Sequence, residues 1–256
     1  MTFRLHHKTL TASTNLDARA GAPGDVYTAD EQTAGRGRLD HRWHSAPGVN
    51  VILSAVFDVA TLPPEQVATF PLVVGLAVHD ALVRVLAAEP TAFGIKWPND
   101  VLVGARKIAG ILCERHDDAV IAGVGVNVNQ TAFPPEIADR ATSLARLDPD
   151  RAPFSVPHVR DTILAALADL YAIWRTAGFA ALHARYAAHD ALKGRFLSVR
   201  QTDDDAAPIT GLCAGVQPDG TLRVGDTTVF AGEAHVESFA RVMGYSSSRA
   251  NLSNPR

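Results

Sequence analysis

Cysteine is nearly absent: Cys113 and Cys213 are the two in 256 residues. They lie far apart and neither belongs to a Cys-x-x-Cys pair, which excludes a disulfide scaffold or a thiolate metal framework. Both read as inert thiols of a reducing compartment. A basic excess is also lacking, since 24 Lys and Arg face 27 Asp and Glu for a formal net charge of -3. A dedicated nucleic-acid binder would need a basic footprint that this chain does not carry. No uninterrupted apolar run reaches the ~18 residues of a membrane span, and residues 1–8 lack the apolar core of a secretion signal. The absences leave a globular, cytoplasmic protein with neither DNA nor membrane as partner. With 47% hydrophobic residues, the length suits one large domain plus a small appendage.

Among the features present, Thr33-Ala34-Gly35-Arg36-Gly37-Arg38-Leu39-Asp40-His41-Arg42-Trp43 is the most informative stretch. Two glycines one residue apart let a backbone curl around a ligand through φ > 0, and the arginines offer forked donors to carboxylate or phosphate. Trp43 supplies a flat face that could cover a purine. A solvated loop or an Arg-Gly tract for nucleic acid would read the same way from this segment alone.

Before it, Ser13-Thr14-Asn15 opens a short helical pattern, as an N-cap, a ligand contact or both. A strand over 26–31 delivers Gln32 to the Gly/Arg loop, and an apolar strand over 49–57 follows it. A long helix is expected over 65–88, with Val67, Phe70, Val74, Ala77, Val78, Ala81, Leu82 and Val85 as its core face. Pro71 marks its true start or a kink, and His79 and Arg84 are expected on its wet side. Next come Lys96-Trp97-Pro98-Asn99-Asp100, a turn between short strands, and Lys107-Ile108-Ala109-Gly110-Ile111-Leu112, a strand. The run 119–129 is a further strand whose two glycines admit a close neighbour, and its spacing does not match a dinucleotide fingerprint. Helices are expected over 158–176 and 179–188. From residue 195 the texture changes to short alternating strands over 195–201, 209–216, 221–224, 227–230 and 233–238, with Gln217-Pro218-Asp219-Gly220 as a hairpin turn. Residues 245–256, rich in Ser and Asn, are expected to be disordered. His41 and His44 have no further ligands nearby, so no metal site is expected.

The order Ser13-Thr14-Asn15, Gly35-Arg36-Gly37-Arg38 with Trp43, Lys96 to Asp100, Lys107 to Leu112 and Gly123-Val124-Gly125-Val126-Asn127 resembles the biotin protein ligases, enzymes that attach biotin to carboxylase carrier domains. The resemblance is strongest over about residues 10–130. It implies an α/β (α+β) fold, a class II aminoacyl-tRNA synthetase-like catalytic domain over 1–192 and an SH3-like β-barrel over 193–244. It further implies ATP and biotin as substrates with Mg2+, a biotin carboxyl carrier domain of acetyl-CoA or a related acyl-CoA carboxylase as partner, and is compatible with a homodimer. By the same resemblance Ser13, Thr14, Asn15, Gln32, Gly35, Arg36, Gly37, Arg38, Lys107 and Gly110 would hold biotin. Arg36, Arg38, Trp43, Lys96, Asn99 and Asn127 would hold ATP, and Lys107, Arg38, Arg36 and Asp100 would serve the chemistry. Two departures stand out. Asp40 and His41 occupy places where the family has a glycine and a basic residue, and the 12 residues before Ser13 leave no room for the helix-turn-helix domain that some relatives carry. A lipoate or octanoyl transferase of the same fold is the nearest alternative, and a non-catalytic biotin-sensing module is the non-enzyme one.

Overall fold

The computed structural model describes residues 1–38, 41–201 and 206–237. Asp40 and the tail expected to be disordered lie outside the described residues. In chain order the elements are β1 (Arg4–Thr11), α1 (Thr14–Ala18), β2 (Asp25–Gln32), β3 (Val51–Asp58), α2 (Pro64–Ala68), α3 (Phe70–Leu86), β4 (Gly94–Lys96), β5 (Asp100–Val103), β6 (Arg106–His116) and β7 (Ala119–Val126). There follow α4 (Leu144–Leu147), α5 (Val156–Ala177), α6 (His183–Ala187), β8 (Phe196–Arg200), β9 (Ile209–Val216), β10 (Leu222–Val224), β11 (Thr227–Val229) and β12 (Glu233–Val236).

The first seven strands make one sheet in the order β1-β2-β3-β7-β6-β5-β4, with β1 parallel to β2 and the other pairs antiparallel. Successive side chains of a strand point to opposite faces, and here the two faces have different uses. Leu53, Ala55 and Phe57 of β3 point into the main core against α3 and α5. Val56 points the other way and packs with Ile121 and Ala18 of α1. Ser54 lies on that second face. Across the ladder Ser54 is opposite Gly123, Gly123 opposite Leu112, and Gly125 opposite Gly110, so small residues line the sheet where α1 begins, at Asn15.

The apolar positions expected on the long helix are all buried, but the helix is broken. Thr69 stands at the N-cap position of α3 with its hydroxyl turned back to the Gln66 carbonyl, and Pro71 lies in the first turn, where a missing N–H leaves no bond unmade. By length and composition the stretch Pro64–Leu86 is apolar enough to cross a membrane, with mean hydropathy 1.6, yet 72% of its apolar window is buried inside this fold. Its apolarity is that of a core helix. Arg84 is exposed as expected, whereas His79 is 1% exposed. Its ring nitrogens are used by Asp80 Oδ1 and the Pro90 carbonyl, each at 3.0 Å, and its face stacks on His189. A neighbour on the helix itself and two partners beyond it, the Pro90 carbonyl and the His189 ring, allow this polar residue in the core.

Three boundaries differ from expectation. Strand β1 has no counterpart in the sequence reading, because it is an edge strand with almost every residue exposed and no apolar alternation marks it. The last strand of the large sheet ends at Val126 rather than at 129, and the segment expected to be helical over 179–188 splits into a 3-10 turn and α6. The C-terminal strands form a five-stranded sheet, β11-β10-β9-β8-β12, and the foreseen hairpin turn joins β9 to β10 with Gly220 at φ 85. Cys113 and Cys213 are free, and burial pushes both thiols above their ordinary range.

Candidate active site

The second face of the large sheet carries a cavity of about 110 Å³, closed by the Gly/Arg loop and by Glu233 and Ala234 of β12. Thirteen of the fifteen residues expected at the site line it; Gly35 and Asn127 do not. Arg36, Arg38, Arg42, Lys96 and Lys107 face Asp100 and Glu233 there, so five cations against two carboxylates leave three positive charges. In a chain of net charge -3 this is a local reversal that attracts anions.

One end is a neutral, hydrogen-bonding wall. Gln32 Oε1 accepts from the Thr14 backbone N–H at 2.8 Å and lies 3.2 Å from Thr14 Oγ1. Ser13, Thr14 and Asn15 are all buried, so polar groups here are spent on one another or on a ligand. Ser13 stands at the N-cap of α1 but its side chain caps nothing, contrary to the simplest expectation for that residue type. Ser54, which sequence reasoning passed over, lies 2.7 Å from Thr14 Oγ1 and donates to Asn15 Oδ1 at 2.6 Å. A hydroxyl inside the apolar run 51–57 was the available signal.

The Gly/Arg loop is a narrow hairpin. Trp43 N–H donates to the Gly35 carbonyl at 3.0 Å, and Gly37 N–H to the His41 carbonyl at 2.6 Å. Neither Gly35 nor Gly37 has a positive φ, contrary to the expectation from their spacing. They are needed for room: a Cβ on Gly35 would come 2.9 Å from the Trp43 carbonyl oxygen, and one on Gly37 3.2 Å from that of His41. The hairpin lays the Trp43 indole against β6 and β7. A Cβ on Gly125 would run into this ring, and one on Gly110 would come 3.1 Å from it and 2.9 Å from Lys107 Cε. Trp43 Nε1 is buried without a protein partner.

The two arginines diverge. Arg36 Nη2 donates to Glu114 Oε1 at 2.6 Å. Arg38 turns the other way, donates from Nη1 to the Gly232 carbonyl at 3.2 Å, and faces Asp100 and Glu233. Burial pulls the Arg38 guanidinium below its ordinary pKa against the opposing pull of those carboxylates. Lys107 shares the Asp100 carboxylate that Arg38 faces, its Nζ 2.6 Å from Asp100 Oδ1 and 5.8 Å from the Trp43 ring centre. That buried oxygen takes no well-directed hydrogen bond, so the contact is an ion pair held by charge rather than by bond direction. Asn99 spends its amide on the Ile111 carbonyl at 2.9 Å and so fixes the turn before Asp100. Asn127 sits outside the cavity, donating to the Thr142 carbonyl at 3.0 Å, with Oδ1 buried and unpartnered. The Trp97 indole N–H donates to the Gly220 carbonyl at 3.2 Å, a second tie between the site and the C-terminal sheet.

Residues 5–130 match the model of the biotin/lipoate A/B protein ligase family. The chain is 42% identical over 150 residues to a biotin–[acetyl-CoA-carboxylase] ligase of Mycobacterium tuberculosis, a match covering 55% of this chain and 56% of that protein. It is 38% identical over 137 residues to a bifunctional ligase/repressor of Bacillus spizizenii, of which it covers 41%. These first relatives are thus matched over about half their length or less. A biotin–[acetyl-CoA-carboxylase] ligase of Paracoccus denitrificans is 33% identical over 239 residues, covering 83% of this chain and 90% of that one. Among solved structures, the biotin protein ligase of Aquifex aeolicus in complex with biotin and ATP superimposes with a TM-score of 0.80 at 26% identity, covering 91% of this chain and 98% of that one. The cavity on the small-residue face, the Gly/Arg hairpin that closes it and a nearly end-to-end match in both sequence and fold converge, and the chain belongs to the biotin/lipoate A/B protein ligase family.

Proposed function

We propose that the chain is an ATP-dependent ligase that activates biotin as biotinyl-5'-AMP and passes the biotinyl group to a lysine of a biotin carboxyl carrier domain in the cytoplasm. The observation that carries this reading is that one cavity is lined both by neutral hydrogen-bonding groups suited to a ureido head group, Thr14 and Gln32, and by cations suited to phosphates, Arg36, Arg38, Lys96 and Lys107. Thr14 and Gln32 would bind the biotin head, with Ser54 holding Thr14 in place.

The carboxylate of biotin attacks the α-phosphorus of ATP, forming a C–O–P linkage as the bond to pyrophosphate breaks. Two anions approach one another in that step, and the Lys107 ammonium is the fixed charge between them. Arg38 covers the resulting mixed anhydride, tied through Gly232 to the C-terminal sheet. In the second step the carrier lysine, having given its ammonium proton to solvent, attacks the acyl carbon as a neutral amine, the acyl–O bond to AMP breaks, and the second amine proton also passes to solvent. Asp100 is the carboxylate beside that centre that draws in the cationic lysine. Mg2+ would arrive as the counter-ion of the ATP phosphates, since no group of three or more His, Cys, Asp or Glu converges on a metal site among the described residues. Residues 1–192 would form the catalytic unit, and an SH3-like unit from residue 193, with β8 to β12 as its described strands, would supply the tie to Arg38. A lipoate or octanoyl transferase would have no need of the Gly/Arg hairpin. Calorimetry with biotin, lipoate and ATP tests the reading: biotin binding that strengthens with ATP is expected, and lipoate binding in place of biotin overturns it.

A further inference from the structure

Beside the cavity a chain of hydrogen bonds runs from Gln32 to Arg36, and its link at Glu114 belongs to no ligand motif. Gln32 holds Thr14, Thr14 Oγ1 meets Ser54 Oγ, and Ser54 donates to Asn15 Oδ1. Asn15 Nδ2 then donates to the Leu112 carbonyl at 3.2 Å and to Glu114 Oε2 at 2.6 Å. Every hydrogen-bonding atom of the Asn15 amide is therefore engaged within the protein, which makes it a connector rather than a ligand contact. The other oxygen of the same carboxylate, Glu114 Oε1, accepts from Arg36 Nη2 at 2.6 Å, with Arg19 Nη2 at 3.5 Å. Strand alternation puts Glu114 on the face of β6 that also carries Gly110 and Leu112, so one side chain of the sheet floor reaches both α1 and the Gly/Arg hairpin.

We infer that Glu114 is a positioning residue that couples occupation of the head-group wall to closure of the Gly/Arg hairpin, an inference that rests on the proposed biotin and ATP chemistry. A ligand held by Thr14 and Gln32 fixes the start of α1 and with it Asn15. That fixes the carboxylate to which Arg36 is docked, and short charge-assisted hydrogen bonds are sensitive to such placement. Burial raises the pKa of the Glu114 carboxyl, but the bonds from Asn15 and Arg36 outweigh it and keep the group anionic at neutral pH. Coupling of this kind is reciprocal: whatever factor biotin adds to ATP affinity, ATP adds to biotin affinity.

The test is a calorimetric cycle on the full chain, measuring biotin affinity with and without a non-hydrolysable ATP analogue, for wild type, Glu114→Gln, Arg36→Gln and the double variant. In Glu114→Gln, biotin affinity without nucleotide should stay within about threefold of wild type, since Thr14, Gln32 and Ser54 are intact. The factor by which nucleotide tightens biotin should fall by about tenfold, within the ordinary range of site-to-site coupling. Arg36→Gln should lose the same factor, and the double variant should lose no more than either single one. A coupling factor in Glu114→Gln equal to that of wild type, or losses that add in the double variant, overturns the inference. Should Glu114→Gln fail to fold, an unchanged coupling factor in Arg36→Gln would overturn it alone. Absence of biotin binding to the wild type would instead refute the proposed function, and the inference with it.

Discussion

On the proposed chemistry, replacement of Arg38 by glycine should separate making the adenylate from keeping it. The Arg38 guanidinium reaches over the cavity to the Gly232 carbonyl at 3.2 Å and lies between the carboxylates of Asp100 and Glu233. A hydrogen bond from a charged group contributes about 1.5–3 kcal/mol, and the half-buried setting of this one argues for the lower half of that range. Glycine also adds backbone freedom to the open hairpin, which costs the closed form up to about 1 kcal/mol more. Together these shift the balance toward the open hairpin by about 2 kcal/mol, or roughly 30-fold, at about 1.4 kcal/mol per tenfold. If the proposed adenylate escapes when the hairpin opens, its rate of release should rise by about that factor. Adenylation should fall much less, because Lys107 and Asp100 keep their geometry without Arg38. The assay mixes a carrier domain and serum albumin in one tube with biotin and ATP and compares label on each. The variant should label albumin far more heavily relative to the carrier than wild type does. An unchanged ratio with adenylate still forming would refute the reasoning.

Lys107→Ala should slow pyrophosphate release in the first half-reaction by about 10²–10³-fold with the melting temperature little changed, the loss expected for a preorganised charge; a wild-type rate would remove Lys107 from the chemistry. Gly125→Ala pushes a methyl group into the Trp43 indole and should cost about 1–3 kcal/mol by overpacking, read as a lower melting temperature. On a Trp43→Ala background most of that cost should vanish, and an equal cost on both backgrounds would show that the two do not pack as described. The Asp25 carboxyl is held down to about 2 by the His6 hydrogen bond first, then by the Ala22 amide and by Arg4. A carboxyl with a depressed folded-state pKa stabilises fully above its unfolded value near 4 and loses that contribution as the pH falls toward 2. Asp25→Asn should therefore cost roughly 1 kcal/mol at pH 7 after allowance for solvent screening, a gap that closes between about pH 4 and 2. A gap that widens on acidification would contradict the assignment.

What could be read from the chain alone followed from how local each signal was. The core face of α3 announces itself by helical spacing, and the turn at Gly220 by its Pro-Asp-Gly run, because both are decided within a few residues. Strand β1 is held by pairing to β2, 21 residues further on, and carries no apolar pattern of its own. His79 has the look of a surface residue, and its burial depends on the Pro90 carbonyl and His189, which the periodicity of α3 cannot reveal. At the site, the glycines, arginines and Lys107 stand in recognisable runs. Ser54 and Glu114 do not, since their partners lie 39 to 99 residues away and exist only once β3, β6 and α1 have come together. The hairpin glycines stand out in the sequence, but the constraint on them is crowding by the Trp43 and His41 carbonyls, which no local run reveals, and not a left-handed backbone.

The central claim is that one cavity activates biotin with ATP and passes it to a protein lysine. Its most direct test is intact-mass analysis of a biotin carboxyl carrier domain incubated with the chain, biotin and Mg-ATP. A single biotinyl adduct on one carrier lysine, absent when ATP or biotin is left out and lost with Lys107→Ala, is the predicted result. A carrier that stays unmodified while a lipoyl or octanoyl acceptor domain gains its acyl group under the same conditions would contradict the account.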